Sequence, residues 1–244
     1  MAERCAVVTG VSKGLGEAIA ANLVARGFHV VGVGRSASAR LTSPAFRLER
    51  VDLADVAALA SLADGLFSKL AARTLASIAV VNNAAVAGPV GTFGALASAD
   101  IAASLTVNLA SPAIIADAFV RAFRDAPLDR RLINVSSGAA VAAIPGAGVY
   151  NVAKAGLEML TRAIAAENAQ SGLRAITIRP GIIDTPMQAF IRGRPPQRMP
   201  SLAMFNGFHE SGQLVAPDVT ASKIVDRLIL APVDNGRVYS YAEL

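Results

Sequence analysis

Cys5-Ala6-Val7-Val8-Thr9-Gly10-Val11-Ser12-Lys13-Gly14-Leu15-Gly16 joins an apolar run to an amphipathic one through a turn holding three glycines. The run Ala6–Thr9 reads as a buried strand, and Gly16–Ala25 carries a helical pattern. The turn therefore lies where a strand ends and a helix begins. Glycines there let the backbone approach phosphate closely, and the helix start offers unpaired N–H groups and the positive end of its dipole. The spacing Gly-x-x-x-Gly-x-Gly differs from the commoner Gly-x-Gly-x-x-Gly, and it lacks the Gly-Lys-Ser/Thr ending of an NTPase loop. The same glycines would also serve a tight turn that needs positive φ.

Outward from this turn, apolar runs alternate with amphipathic segments. Strand-like runs are Ala6–Thr9, His29–Gly34, Phe46–Val51, Ser77–Val81, Arg131–Ser136, Arg174–Arg179 and Arg237–Tyr241. Helical patterns cover Gly16–Ala25, Ala54–Ala71, Ser98–Phe123, Val149–Ser171 and Pro217–Leu230. Such alternation predicts an α/β fold: a single-domain Rossmann-type doubly wound parallel sheet of about seven strands flanked by helices. No repeat or linker divides residues 1–244. Residues 186–215, rich in Pro, Gly, Arg and Met, lack a clear period and read as a lid over a site.

Composition narrows the function. With 53% hydrophobic and 17% charged residues the chain suits a large core and not a disordered segment. One cysteine, Cys5, and no disulfide pattern suit a reducing cytoplasmic compartment, and the short lead into the first strand leaves no room for a signal peptide. The uncharged stretches 74–99 and 132–153 contain Asn82-Asn83, Gly88-Pro89, Ser136-Ser137-Gly138 and Pro145-Gly146, so they read as buried strands ending in functional loops and not as membrane spans. The net charge of +5 comes from basic residues scattered singly, with a mild cluster at Arg192, Arg194 and Arg198 that reads as a loop. No basic stripe with interleaved aromatics suggests nucleic acid. His29 and His209 show no ligand spacing, and no Cys/His/carboxylate cluster suggests a metal.

Tyr150 and Lys154 stand four residues apart and so share one helix face. A free Tyr, with a pKa of about 10, is a weak acid at neutral pH. An ammonium beside it favours the phenolate and makes the hydroxyl a usable proton donor. Ser137 lies thirteen residues before Tyr150, and its neighbour Ser136 should face the other way by strand alternation. Arg35 ends the second strand, where an acidic residue would bind the ribose of NAD and an Arg accommodates the extra phosphate of NADP. Lys13 adds a second cation nearby, and position 34 is Gly, so NADP(H) is the expected cofactor. Asp52 suits either the adenine amino group or a helix N-cap before Leu53–Ala60. Asn82-Asn83-Ala84-Ala85 closes the fourth strand, as a cofactor-lining backbone or as a plain turn.

Taken in order, Thr9-Gly10-x3-Gly14-x-Gly16, Asn82-Asn83-Ala84, Asn108, Ser137, Tyr150-x3-Lys154 and Pro180-Gly181 resemble the short-chain dehydrogenase/reductase family over nearly the whole chain. Ala85 departs from the family's usual Gly. The resemblance implies that Tyr150 protonates a carbonyl oxygen, that Ser137 holds that oxygen, and that Lys154 lowers the Tyr pKa and grips the nicotinamide ribose. It implies that Asn108 holds a water linking Lys154 to solvent. It places the cofactor against Gly10, Ser12, Lys13, Gly14, Leu15, Gly16, Arg35, Asp52, Leu53, Asn83, Ala84, Tyr150, Lys154, Pro180, Gly181, Ile183, Thr185 and Met187, with Thr185 on the nicotinamide amide.

Pro180-Gly181-Ile182-Ile183-Asp184-Thr185-Pro186-Met187-Gln188 is similar to the sepiapterin reductase branch, as are Gly212-Gln213-Leu214-Val215 and Pro217. Bacterial benzil reductases, which reduce one carbonyl of an aromatic 1,2-diketone, share these features. Met187 and Gln188 would begin the lid. Pterin reductases of the branch anchor the pterin with an Asp near the C-terminus, where an ungapped alignment places Tyr239, with Glu243 nearby. The expectation is thus a carbonyl reductase for ketones or aromatic dicarbonyls, its apolar pocket drawn from Phe93, Ile144, Tyr150, Ile182, Met187, Phe190, Met204, Phe205 and Phe208. Alternatives are a sepiapterin reductase, a 3-oxoacyl-carrier-protein reductase with a basic face at Arg124, Arg130 and Arg131, and a catalytically silent NADP-sensing regulator. The expected partner is a small carbonyl compound, with no nucleic acid and no membrane. The family also implies a homodimer or homotetramer pairing the long helices, through small residues Ala153, Ala155 and Gly156.

Overall fold

The computed structural model describes residues 2–244. Seven parallel strands form one sheet in the order β3-β2-β1-β4-β5-β6-β7. They are β1 Glu3–Thr9, β2 His29–Gly34, β3 Phe46–Arg50, β4 Leu75–Asn82, β5 Asp129–Val135, β6 Arg174–Arg179 and β7 Val238–Ser240. The chain reverses direction across the sheet between β1 and β4, which opens a crevice at the carboxyl ends of the strands. The uncharged runs at 74–99 and 132–153 supply β4 and β5, interior strands covered on both faces. Charged Arg47, Glu49 and Arg50 fall on β3, an edge strand, where charge discourages further pairing.

Helices cover both faces. α1 (Gly14–Ala25) and α8 (Pro217–Ile224) pack together on one side, with Ile19, Leu23, Ile224 and Leu228 buried against Val8, Ile133 and Ile176. α2 (Val56–Ala71), α4 (Ser111–Phe123) and α5 (Gly148–Glu167) cover the other side. There Phe67, Phe119 and Phe123 interlock, with ring centroids 5.6 to 6.5 Å apart.

Three departures from the sequence reading have physical causes. The helical run 98–123 is not continuous: α3 (Ser98–Leu105) passes through a π-turn at Thr106–Ala110 before α4. Pro112 has no N–H to offer the carbonyl of Asn108 four residues earlier, so the ladder must slip there. The segment 186–215 is not irregular. It holds α6 (Pro186–Arg192) and α7 (Leu202–Glu210), each too short to show a period and separated by Pro195, Pro196 and Pro200. A small core of Val90, Ala147, Met199 and Phe205 fastens α7 to the body. Finally α2 begins at Val56, because the carboxylate of Asp55 accepts from the Ala58 N–H at 3.0 Å. The run 98–123 is apolar and long enough to cross a bilayer by composition, yet half of its most apolar window is buried in the protein.

Candidate active site

A cleft of about 800 Å³ runs along the carboxyl ends of β1 to β6. Its nucleotide end is built on the glycine turn. Gly10 takes φ +74°, and a Cβ there would stand 2.9 Å from Ala84 Cα. Thr9 Oγ1 accepts from the backbone N–H groups of Asn83 and Ala84 at 3.0 and 2.9 Å, and Asn83 Nδ2 donates to the Thr9 carbonyl at 3.0 Å. The ends of β1 and β4 are thereby locked side by side. Gly16 serves this lock: a Cβ on it would fall 2.3 Å from both Asn83 Nδ2 and the Gly10 carbonyl, and it does not itself line the cleft.

Gly10, Ser12, Lys13, Gly14, Leu15, Arg35, Asp52, Leu53, Asn83, Ala84, Pro180, Gly181, Ile183, Thr185 and Met187 all line the cleft. A long floor of glycine and alanine backbone fits a thin, extended dinucleotide better than a compact ligand. Asp52 is not a helix cap, since Asp55 takes that role. Its carboxylate accepts from the Ala54 N–H at 3.0 Å and lies 4.0 Å from the Arg35 guanidinium. Among the described residues Asp52 is the one carboxylate lining the cleft.

Beyond the floor stand Ser137, Tyr150 and Lys154. Ser137 follows β5, its hydroxyl accepts from the Ala139 N–H at 3.2 Å, and it stands beside the Tyr150 phenol, whose pKa it pulls down. Tyr150 and Lys154 lie one turn apart on α5. Lys154, 2% exposed, donates to the Val135 carbonyl at 2.7 Å, and its ammonium is 5.5 Å from the Tyr150 ring centre. Burial pushes the Tyr150 phenol up to about 12 against the opposing pull of Ser137, and burial brings Lys154 down to about 8. The expectation that Lys154 lowers the phenol therefore meets a stronger desolvation effect. The phenol stays protonated at neutral pH and is loaded as a donor.

Ser136, as alternation required, faces the other way. Its hydroxyl donates to Glu158 on α5 at 2.8 Å, and Arg179, at the end of β6, donates twice to the same carboxylate at 2.8 Å. Glu158 thus ties the residue before Ser137, the residue before Pro180 and the helix of Tyr150 into one joint. Its own burial raises its pKa, but the bonds from Arg179 and Ser136 and the Arg179 charge outweigh that and hold it below the usual carboxylate range. Sequence reading missed Glu158, although its position one turn after Lys154 on the same helix was a usable signal.

Asn108 sits fully buried in the π-turn and does not line the cleft. Its amide is taken up by the backbone N–H and carbonyl of Val86, both at 2.8 Å, and by Ser104. The side chain holds the loop after β4 in place, and its Oδ1 keeps a second lone pair beyond the bond from Val86.

The far end of the cleft is apolar. Ile144, Met187, Phe190 and Phe205 line it as expected, joined by Val90, Ala147, Ile191 and Met199, which no local pattern marked. Phe93, Ile182, Met204 and Phe208 do not. Phe93 lies over Gly148 on an outer groove, and Phe208 stacks edge-on against Phe205. Tyr239 and Glu243 also stay outside: the Tyr239 hydroxyl accepts from the Asp234 N–H, and Glu243 pairs with Arg237 and caps Ser240. Arg130 and Arg131 form no basic face. Arg130 is buried against the carbonyls of Phe123, Arg124 and Ser171, and Arg131 donates to those of Leu228 and Ala231.

The family model for short chain dehydrogenases matches residues 4–195. A benzil reductase ((S)-benzoin forming) of Bacillus cereus is 30% identical over 96% of this chain and 98% of its own length. A sepiapterin reductase of Meriones unguiculatus is 30% identical over 91% of this chain and 90% of its own. The crystal structure of the KRED1-Pglu enzyme superposes with a TM-score of 0.83 at 29% identity, covering 96% of this chain and 99% of that one.

Glu158→Leu leaves Arg179 without its partner and should destabilise the fold by about 3 kcal/mol. Because the Glu158 pKa is depressed on folding, its stabilisation is present above the ordinary Glu value of about 4.3 and is lost as pH falls below it. Urea denaturation at pH 7 and pH 3.5 checks both points. The difference between wild type and variant should shrink at the lower pH.

Proposed function

Because the chain belongs to the short-chain dehydrogenase family, a family of oxidoreductases, we propose that it is an NADPH-dependent carbonyl reductase acting on ketones and aromatic 1,2-dicarbonyls. The observation that carries this reading is the position of the Ser137–Tyr150 donor pair, at the junction of a polar, glycine-floored trough and an apolar pocket. The likeness to benzil reductases over the full length supports the substrate class.

The dinucleotide supplies the hydride when bound. The protein's own task is at the carbonyl oxygen. Ser137 and Tyr150 donate to that oxygen, and their bonds strengthen as negative charge builds on it. Tyr150 then delivers its proton, so one carbonyl, one hydride and one proton become one alcohol. Lys154 holds positive charge behind the phenol, which favours proton departure in a site that water scarcely reaches. Lys13 and Arg35 would hold the 2′-phosphate of NADP. The exposed Arg35–Asp52 contact at 4.0 Å is worth under about 1 kcal/mol, whereas charged hydrogen bonds to phosphate bring about 1.5–3 kcal/mol each, so the phosphate wins the guanidinium.

The absence of a C-terminal carboxylate from the cleft lining, with Tyr239 and Glu243 engaged elsewhere, favours dicarbonyls over pterins. A 3-oxoacyl-carrier-protein reductase would need basic side chains for its acidic carrier; those of Arg130 and Arg131 are spent on backbone carbonyls, and of the three arginines Arg124 alone stays exposed. A silent regulator would have no use for a buried ammonium beside a donor phenol. Cytoplasmic placement rests on the single buried thiol of Cys5.

We further propose a homodimer or homotetramer. Ala153 is fully buried and Gly156 packs against Leu109, so neither faces outward as the sequence suggested. The exposed stripe of α5 is Val152, Ala155 and Met159, three apolar residues at helical spacing. Light scattering at micromolar protein should give two or four times 25.0 kDa, and a monomer mass would rule the assembly out.

With NADPH, benzil and 1-phenyl-1,2-propanedione should be reduced faster than sepiapterin. Tyr150→Phe should lower kcat by about 10² to 10⁴. Arg35→Asp should raise KM for NADPH at least tenfold and leave that for NADH little changed. Preference for sepiapterin would refute the dicarbonyl reading, and wild-type preference for NADH would refute the role of Arg35.

A further inference from the structure

Gln188 is the polar side chain that the two lid helices present to the cleft. The others they contribute, Pro186, Met187, Phe190, Ile191 and Phe205, are apolar. Its amide makes no hydrogen bond to the protein, and its Oε1 is buried without a partner. Four residues on, along the same short helix, Nη1 of Arg192 is buried and equally without a partner. An acceptor and a cationic donor at i and i+4 are neighbours on a helix face. Both side chains are partly buried, and leaving these two atoms unmet is costly, so the pair marks an arrangement completed by something else.

We infer that Gln188 is the specificity residue for dicarbonyl substrates, donating from Nε2 to the carbonyl oxygen that is not reduced. The inference rests on the carbonyl reductase reading above. A 1,2-dicarbonyl brings two adjacent oxygens into the pocket. Ser137 and Tyr150 take the reacting one. The second would be buried among Val90, Ile144 and Met199 with no donor unless the lid supplies it. When α6 settles over the substrate, Arg192 bonds the Gln188 Oε1. That charged bond fixes which way the amide points and turns its NH₂ toward the cleft. A simple ketone has no second oxygen and gains nothing from the contact.

The test compares 1-phenyl-1,2-propanedione with propiophenone, which has the same skeleton and one carbonyl fewer. For Gln188→Leu, similar in volume and unable to donate, kcat/KM for the dione should fall about tenfold, mostly through KM, while that for propiophenone stays within about twofold. Arg192→Met should show the same selective loss at about threefold, since it only frees the amide to turn. Unchanged NADPH binding by fluorescence, together with unchanged circular dichroism, establishes that both variants are folded. An equal loss on the two ketones would make Gln188 a packing residue of the lid and overturn the inference while the reductase reading stands. Failure of the wild type to reduce any dione while reducing propiophenone would overturn both the inference and the dicarbonyl part of the reading.

Discussion

An ammonium group sealed from water beside a phenol is the constraint around which this molecule is arranged. Lys154 is 2% exposed, and burial brings its pKa down to about 8, which still leaves it charged at neutral pH, with the Val135 carbonyl accepting from it at 2.7 Å. That bond requires α5 to lie against the end of β5 in one register. The same register brings Ser137, two residues past Val135, to the Tyr150 hydroxyl. One turn farther along α5, Glu158 grips Ser136 and Arg179, which fixes β5, β6 and the helix relative to one another. The geometry of the proposed donor pair and the compensation of buried charge thus rest on the same set of contacts.

The sheet divides the cleft between two tasks. Strand ends at β1 and β4, clamped by Thr9 and Asn83, leave a floor of small residues where backbone can lie close to a nucleotide. Helices α6 and α7, held by Met199 and Phe205, line an apolar chamber at the opposite end. The donor pair stands at the boundary. In the proposed reaction a carbonyl would reach it from the apolar side and a hydride donor from the polar side.

Much of this was legible in the chain. Alternating apolar and amphipathic runs gave all seven strands in order, because buried parallel strands read as near-continuous apolar stretches. That Ser137, Tyr150 and Lys154 share one cleft was legible because it depends on local spacing and order. What escaped depends on contacts across the fold. Gly16 resembles a phosphate-binding glycine in the motif, yet its place is dictated by Asn83, distant in sequence. The bonds of the Asn108 amide to Val86, which join the π-turn to the loop after β4, have no mark in local spacing. Arg130 and Arg131 looked like surface charges and are spent on carbonyls from other segments. Helices α6 and α7 were hidden by their length, and the pocket residues Val90, Ile191 and Met199 lie on separate elements that only tertiary packing brings together. The pKa balance at Tyr150 was also beyond reach, since desolvation depends on what covers a group and not on its neighbours in sequence.

The most direct test of the account is the pH dependence of kcat/KM for dione reduction, which reports the ionisations of the free enzyme. With the Tyr150 phenol at about 12 and Lys154 at about 8, the donor is loaded throughout and only the ammonium titrates near neutrality. The rate should be level from pH 6 to 7 and fall above about pH 8 as Lys154 loses its proton. A rate that climbs steadily from pH 6 to 9 would mean that a deprotonated group drives the reaction, and it would contradict the assignment of Tyr150 as the proton donor held beside a charged Lys154.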